Sequence, residues 1–426
     1  MSATAKSGVE LRHEKPMTPS NNPDVALSQE WLLQLDEWIE SNGLKGHDPF
    51  DVKQHPWIRK VQPYTLPRRI STALCDLFPN AMRAVLGVPE EEFPKAFALT
   101  ALGKLRLYEL THEEHYLEEA GANLQWLLDH PAQGSGLCWG YPFRVFGKGV
   151  DTPANTPVGV VSAIAGEAFL EMHRLTAEPH HLDAARSICG FMLNDLPHMA
   201  QDDGTLCFGY TPSDRRRVHN ANLLAAEHLM RTAAVTGEDA LRETAEPALA
   251  FTLKHQREDG AWRYGEYAEG EPFDPGLLAL VDHHHTGFVL RSLHNIQQVR
   301  AGGEVLDALK RGWRYYHTNL YGKHCMPITE YGKYPVDIHA VAEAVLCPAV
   351  LMQTLPSATK YAVLAVQWAH YNMRRRSDNA PLYRKYPWFT SNIVFPRWSV
   401  AWMYRAIAEF LYNFYEEDKP IQHYRK

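Results

Sequence analysis

The sequence predicts an all-α protein whose helices pair into an (α/α)6 toroid, a ring of inner helices inside a ring of outer helices. Three observations support this prediction. Roughly a dozen segments carry apolar residues at the three-, four- and seven-residue spacings of one buried helix face. Convincing strand patterns are absent from the sequence. Three similar loops recur at intervals that each accommodate two helices.

Composition indicates a globular chain with a polar N-terminal segment. Of the 426 residues 45% are apolar, so one core can bury most of the apolar surface. We predict one toroid domain over residues 29–426, after a disordered tail over residues 1–28 that is rich in Ser, Thr, Asn, Pro and charge. Without a signal-peptide core or a run of about 18 apolar residues, we expect a cytoplasmic protein without membrane insertion.

Charge and cysteine usage exclude several functional classes. The 43 basic and 50 acidic residues give a net charge of −7, which argues against a nucleic-acid partner. None of the six cysteines forms a C-x-x-C pair, so we expect mostly buried, reduced thiols and no zinc knuckle. Glycine-rich phosphate loops, nucleophile elbows and H-E-x-x-H motifs are missing from the sequence. We therefore predict neither a cofactor nor a metal.

The predicted helices follow one another along the whole chain after the tail. They cover residues 29–41, 68–86, 93–108, 114–129, 157–175, 179–196, 218–236, 238–256, 283–300, 303–319, 337–354, 358–374 and 397–416. Thr111 and Glu114 have the spacing of a capping box, and Pro157 suits a first helical turn. Two segments, 157–170 and 339–352, are apolar nearly all round and rich in small residues, which favours the inner ring.

Three loops share a glycine followed by aromatic residues. They are Gly136–Tyr141, Gln201–Tyr210 and Gln256–Tyr264, and their glycines Gly136, Gly204 and Gly260 lie 68 (204 minus 136) and 56 (260 minus 204) residues apart. Each interval holds one antiparallel helix pair, so about six pairs would close a ring. An open solenoid is the alternative; long aromatic loops of variable length favour the closed toroid.

Several segments of the sequence resemble segments of known toroid proteins. Gln256-x-x-x-Gly260-x-Trp262 resembles the structural Q-x-x-x-G-x-W element of terpene-cyclase-like toroids, whose acidic D-x-D-D motif has no match here. The chain is more similar overall to proteins associated with bacterial exopolysaccharide biosynthesis. The matching stretches cover residues 139–143, 155–171, 202–214, 218–224, 256–266, 282–290 and 334–345. This resemblance implies an α/α toroid and a glycan context; related toroids include glycoside hydrolases, polysaccharide lyases and uronyl epimerases.

Polar residues concentrate where a loop meets the next inner helix. In Asp282-His283-His284-His285, successive helical positions point about 100° apart, so at least one imidazole should face the central cavity. Asp282 and Asp337 begin neighbouring inner helices, and two such carboxylates suit acid/base work on a glycosidic bond. Alternatively, both are helix caps. The predicted catalytic residues are Asp282, His283, His284, Asp337, His339 and the loop acid Glu266.

Amides, guanidinium groups and aromatic rings near the same junctions are candidates for sugar binding. Asn both donates and accepts hydrogen bonds, Arg pairs with carboxylates, and aromatic faces stack on sugar rings. The predicted substrate-binding residues are Trp139, Tyr141, Arg217, His219, Asn220, Asn222, Tyr264 and Tyr331. Alternatively, these residues have structural roles as buried helix caps, as solvent-exposed charges or as aromatic side chains that fill the gaps between helix pairs.

These observations predict a carbohydrate-active enzyme that acts by acid/base chemistry on a bacterial glycan, with uronic-acid-containing glycans included. Hydrolysis, elimination and epimerisation all need a positioned acid and base, and the sequence does not choose among them. Two alternatives stay open. One is a non-catalytic component that binds a glycan or a synthase, and the other is a terpenoid-cyclase-like enzyme.

Overall fold

A computed structural model describes residues 22–147 and 150–416 of the chain. The helices in this part are α1 Pro23–Asn42, α2 Asp51–Gln54, α3 Pro56–Val61, α4 Thr65–Leu77, α5 Pro79–Leu86, α6 Pro94–Thr111, α7 Glu114–Asp129, α8 Gly159–Thr176, α9 Pro179–Asn194, α10 His219–Thr236, α11 Asp239–Lys254, α12 Pro275–Leu278, α13 His283–Val299, α14 Gly303–Asn319, α15 Ile338–Leu351, α16 Ala358–Met373 and α17 Ala401–Glu416.

Six of these helices form a closed inner ring. In the order α6, α8, α10, α13, α15 and α17, each packs against the next, and α17 packs back against α6. Their partners α7, α9, α11, α14 and α16 follow them in sequence and lie outside, and α1 covers α17. The predicted (α/α)6 toroid is therefore confirmed.

Small residues allow the inner helices to approach closely. A Cβ atom on Gly287 in α13 would lie 2.4 Å from Cγ of Glu343 in α15. A Cβ on Gly103 in α6 would lie 2.5 Å from the ring of Tyr404 in α17. The inner layer is thus packed at a distance that larger side chains would not permit.

The described part of the chain contains eight short strands that were not predicted from the sequence. They are β1 Val145–Gly147, β2 Val150–Thr152, β3 His198–Ala200, β4 Leu206–Phe208, β5 Arg217–Val218, β6 Gly265–Glu266, β7 Val336–Asp337 and β8 Arg384–Lys385. They pair in sequence order into four antiparallel two-stranded sheets. With two or three residues each, they are too short to show an alternating pattern. Two of the sheets join the loops that precede α10 and α15 to later loops at the same rim.

Several predicted boundaries were wrong. The segment 68–86 is two helices, because Pro79 begins α5 directly after Phe78 ends α4. Thr111 does not cap α7; its hydroxyl accepts the Glu113 backbone N–H and donates to the Leu107 carbonyl at the end of α6.

The N-terminal helix begins earlier than predicted. Because α1 starts at Pro23, residues 23–28 are helical and do not belong to a tail. The indole N–H of Trp31 donates to the Asn379 carbonyl at 2.8 Å and ties this helix to the loop after α16. The rest of the predicted tail, residues 1–21, lies outside the described residues.

The prediction that most cysteines are buried is confirmed. All six cysteines are buried free thiols. Over the residues that the structure describes, every helix is either too short or too polar to cross a bilayer.

Candidate active site

The N-terminal ends of the inner helices meet at one rim of the ring. The second residue of an inner helix is Lys95 in α6, Asn220 in α10, His284 in α13 and His339 in α15. A π-helical turn, Pro396–Val400, precedes α17, and its second residue is Arg397. Residues in equivalent positions of equivalent helices point in the same direction. We call the space between these five side chains the pit.

Two imidazoles form one wall of the pit. The ring centres of His284 and His339 are 4.3 Å apart, and His339 also packs 4.4 Å from Trp398. His339 is buried, and neither of its ring nitrogens has a hydrogen-bond partner among the described residues. Burial, reinforced by the charge of His285, lowers the pKa of His284 to about 3. Burial and the neighbouring His284 and Lys95 lower the pKa of His339 well below its ordinary value. Both rings are therefore neutral near pH 7.

Asp282 orients the third imidazole of the series. Its Oδ2 lies 2.8 Å from Nδ1 of His285, and its Oδ1 accepts the His285 backbone N–H at 2.9 Å. Burial opposes ionisation, but electrostatic interactions with the neighbouring His285 and His284 rings and these hydrogen bonds hold the pKa of Asp282 far below its ordinary value. Asp282 is thus an ionised helix cap and not a proton donor.

Asp337 is held in a similar way at the start of α15. Its Oδ1 accepts the His339 backbone N–H at 3.0 Å and the Trp398 indole N–H at 2.7 Å. Its Oδ2 accepts Nε of Arg384 at 2.8 Å. Asp282 and Asp337 are therefore both helix caps, as the alternative interpretation held, although both also line the cavity.

A cavity of about 260 Å³ opens beside this wall. Asp282, His284 and Asp337 all line it, together with Trp398 and residues of the loop 327–336. The structure therefore brings together three of the six predicted catalytic residues in one cavity, and His339 packs directly behind His284.

Two cations, Lys95 and Arg397, pack near the phenol of Tyr141 at the same rim. The ammonium group of Lys95, which is buried, lies 5.7 Å from the ring centre of Tyr141. The Arg397 guanidinium lies 5.1 Å from the same centre, and its Nε donates to Asp48 at 2.6 Å. Burial lowers the pKa of Lys95. Burial would raise the pKa of Tyr141, but the charges of Lys95 and Arg397 and a hydrogen bond from Lys95 lower it.

Tyr264 lies beside the imidazole wall. Its ring centre is 4.2 Å from that of His285, and burial raises its pKa to about 12. Asn220, another predicted binding residue, is buried with its Oδ1 unpartnered among the described residues. Both occupy positions consistent with their predicted roles, which stay predictions.

Other predicted residues face away from the pit. His283 and His219 are the first residues of their helices and point toward the outer layer. His283 contacts the Tyr316 hydroxyl at 2.7 Å, and His219 lies 3.3 Å from Oγ1 of Thr252. Glu266 pairs with His219 at 3.1 Å. Because a one-residue step turns a side chain by about 100°, position 283 cannot share the direction of position 284.

Two further candidates are core residues. The indole of Trp139 is fully buried, and its N–H donates to the Leu127 carbonyl at 2.9 Å, so neither face is free for a sugar. The amide of Asn222 accepts the Phe208 backbone N–H and donates to the Ala248 carbonyl. The polar groups of Trp139 and Asn222 therefore form hydrogen bonds that hold loops against helices.

Arg217, in β5, and Tyr331, on the loop between α14 and β7, lie outside the pit. Arg217 pairs with Glu271 at 2.9 Å. Tyr331 is 62% exposed, and its hydroxyl donates to the Ala279 carbonyl at 2.9 Å. These contacts link loop segments to one another.

The sequence predictions missed His285, Lys95, Arg397 and Trp398 as site residues. A usable signal exists for two of them. Lys95 and Arg397 each follow the proline that begins a helical segment, so each is the second residue of its segment. His284 and His339 are likewise the second residues of their helices. Comparing helix starts by position would have identified both.

Donor atoms of Asp282, His284 and His285 lie within 4.8 Å of one another, so these residues are the ones in the pit that could hold a cation. A second group, Glu178, His180 and His181, lies at the start of α9 in the outer layer. In the pit, the hydrogen bond between Asp282 and His285 already engages two of the three donors. The absence of a metal remains a prediction.

Below the pit, buried ion pairs fill the ring. Arg291 pairs with Glu343 at 2.8 Å, and Arg405 pairs with Glu167 at 2.6 Å. A void beside Glu167 has a volume of only about 10 Å³, enough for one water molecule. Charged side chains therefore pack in the interior of the ring.

Neither a protein-family model nor a curated protein matches the sequence of the chain. Solved structures do match its fold. The Lin0763 protein from Listeria innocua is 12% identical, with a TM-score of 0.61 over 93% of this chain and 99% of its own. An unsaturated glucuronyl hydrolase specific for heparin is 9% identical, with a TM-score of 0.57 over 91% and 96%. Cellobiose 2-epimerase from Spirochaeta thermophila is 13% identical, with a TM-score of 0.56 over 76% and 86%. At these identities the similarity establishes a shared toroid fold.

Proposed function

We propose that the chain is a carbohydrate-active enzyme that removes a proton from a carbon of a sugar, with His284 as the general base. The observation that carries this proposal is the pair of neutral imidazoles, His284 and His339, beside a cavity with polar walls. A neutral imidazole has a nitrogen lone pair that is free to take a proton at physiological pH, whereas a protonated imidazole has none.

Proton abstraction suits this site better than hydrolysis. A glycosidase needs one protonated carboxyl group and one carboxylate across the scissile bond. Asp282 is ionised, and both oxygens of Asp337 are engaged by hydrogen bonds. Abstraction of a proton next to a carbonyl or carboxyl group generates an enolate, which nearby cations such as Lys95 and Arg397 stabilise.

The size of the cavity and the similar solved structures support a sugar substrate. The cavity is small beside typical ligand pockets of roughly 300–1,000 Å³, so it suits one sugar unit or the end of an oligosaccharide. Two of the similar structures are a cellobiose epimerase and a glucuronyl hydrolase, both of which act on sugars. The polar pit disfavours a terpenoid substrate. A cytoplasmic role in exopolysaccharide metabolism is part of the proposal and depends on the sequence resemblance described above.

An exchange assay tests this function. The protein is incubated in deuterium oxide with reducing mono- and disaccharides and with uronic acids, and NMR follows the carbon-bound protons. We expect deuterium at one sugar carbon, and a rate lower by about 10²–10⁴-fold in His284→Ala. His115→Asn, an exposed outer-layer substitution, is the matched control. Cleavage without deuterium incorporation would indicate hydrolysis. If none of the sugars tested changes, the proposal that the chain is an enzyme is rejected.

A further inference from the structure

Helices α3, α4 and α5 expose an unusual number of large apolar side chains. Together with α2 they pack mainly on one another around a small core of Val52, Ile58 and Cys75, which is separate from the core of the ring. Single exposed apolar residues are ordinary, but a group of them marks an interaction site. Eight of the 18 exposed large apolar side chains in the described residues lie in this stretch, and we call them the apolar face: Trp57, Tyr64, Leu66, Ile70, Leu74, Leu77, Phe78 and Val85.

The longest of these helices, α4, turns its apolar side outward. Its buried residues are Ser71 and Cys75, which are both small. Four exposed residues follow at intervals of four, four and three and so form one stripe, namely Leu66, Ile70, Leu74 and Leu77. Each is between 41% and 67% exposed. A helix in a globular protein normally buries such a stripe against the core, so this one is available to a partner outside the described part of the chain.

The same segment is basic in a chain that is otherwise acidic. Residues 51–86 carry a net charge of +4 (6 basic minus 2 acidic), whereas the rest of the chain carries −11 (37 minus 48). Asp51 is paired with Arg83 at 2.8 Å. Asp76 is paired with Lys53 at 2.5 Å, so neither acid offsets the other bases. The exposed basic side chains of the segment that have no ion-pair partner among the described residues are Lys60, Arg68 and Arg69.

An apolar stripe accompanied by aromatic and basic side chains is typical of a helix that lies in a membrane interface. Trp57 suits that position, and the Lys60 ammonium group lies 4.2 Å from its ring centre. Long basic side chains can reach lipid phosphates while their stems lie on apolar surface. A second copy of the chain is a less favourable occupant, because a symmetric contact would bring the same positive charges together.

We propose that the apolar face binds the surface of a membrane that contains anionic lipids. The helices would lie in the plane of the interface and would not cross the bilayer. Asp76 of α4 lies 3.5 Å from Arg384, which lines the cavity and pairs with Asp337. Phe50, which precedes α2, lines the same cavity. Membrane binding would therefore hold the cavity close to the lipid head groups.

Sedimentation of the full-length protein with lipid vesicles tests this proposal. One set of vesicles contains phosphatidylcholine alone, and the other contains phosphatidylcholine and phosphatidylglycerol in equal parts. We expect much tighter binding to the anionic vesicles, and weaker binding as salt is added, because salt screens the attraction. No sugar is present, so the result does not depend on the proposed function. Equal binding to both kinds of vesicle, or to neither, would overturn the proposal.

A pair of charge variants separates the apolar face from the charge of the whole chain. Arg68→Gln with Arg69→Gln should weaken binding to anionic vesicles by roughly 25-fold, because each charge near an anionic surface contributes roughly fivefold. Lys310→Gln with Arg314→Gln, which removes two exposed charges from the outer helix α14, is the matched control and should bind as the wild type does. Equal losses in the two variants would show that binding is not located at α4.

A pair of apolar variants tests the stripe itself. Leu66→Gln with Ile70→Gln should weaken binding by roughly tenfold or more, because less apolar surface enters the interface. Val235→Gln with Tyr371→Gln, at two exposed apolar residues of other helices, is the matched control. Circular dichroism checks that every variant is folded. Light scattering without vesicles tests the other occupant: a wild-type dimer that Leu66→Gln with Ile70→Gln abolishes would overturn the proposal in favour of a second copy.

Discussion

Three adjacent histidines at the start of α13 have three different environments. His283 contacts Tyr316 in the outer layer, His284 packs against His339 in the pit, and His285 turns back to Asp282. The cause is the rotation of about 100° per residue in a helix. Chemical identity is the same at each position, so direction alone decides which imidazole can act on a substrate.

The role of Asp282 in orienting His285 can be separated experimentally from its role as a helix cap. Asn caps a helix as well as Asp does, so Asp282→Asn should change the free energy of unfolding by less than ~1 kcal/mol, whereas Asp282→Ala should cost ~1 kcal/mol or more. Both variants lose the charge that orients His285. We expect kcat to fall by about 10²-fold in each. Urea unfolding and initial rates measure the two effects, and an unchanged kcat in Asp282→Asn would contradict a positioning role.

At the scale of elements, the distance between α13 and α15 sets the geometry of the imidazole wall. Gly287 allows the Glu343 side chain to cross between the two helices and pair with Arg291. One turn above this contact, His284 and His339 project from the same helices. A close packing contact thus controls the separation of the two rings.

Gly287→Ala should disturb this contact. Its new Cβ would meet the Glu343 side chain at 2.4 Å, so this buried side chain and its ion pair with Arg291 must shift. We expect the free energy of unfolding to fall by ~1–3 kcal/mol and turnover to fall with it. Gly303→Ala in the outer helix α14 is the matched control, since a Cβ there meets no atom within 4 Å. The control should be neutral or stabilising by up to ~1 kcal/mol. Equal stabilities of the two variants in urea unfolding would refute the argument.

At the scale of the whole molecule, the ring encloses many ionisable groups. Burial lowers the pKa of His228, His283 and His294 to about 4 each, and that of His284 to about 3. These imidazoles are neutral in the folded protein but gain protons on unfolding below the ordinary value of 6.5. The buried histidines should therefore make the stability of the folded ring depend on pH in the acidic range.

Stability should fall as pH decreases from about 6.5 toward about 4. In this window the unfolded chain binds more protons than the folded chain, and each buried histidine contributes a slope of up to about 1.4 kcal/mol per pH unit. Glu227 and Glu343, whose pKa burial raises, act in the opposite direction and reduce the sum. Urea midpoints across the window measure the effect. The exposed substitution His115→Asn should leave it unchanged, and a midpoint independent of pH would contradict the prediction.

Local sequence determined the helices, because each carries its own apolar periodicity, and the helix count and loop spacing were sufficient to predict the ring. It also marked helix starts such as Asp282 and Asp337, where polar residues concentrate. Local sequence did not determine the two-residue strands or the partners of each polar side chain. Only the tertiary structure decided that Lys95 and Arg397 lie at the same rim as His284, because closure of the ring brings together residues that are distant in sequence. It also decided that Trp139, His219 and His283 pack in the interior, because a shift of one residue along a helix changes the direction of a side chain by about 100°.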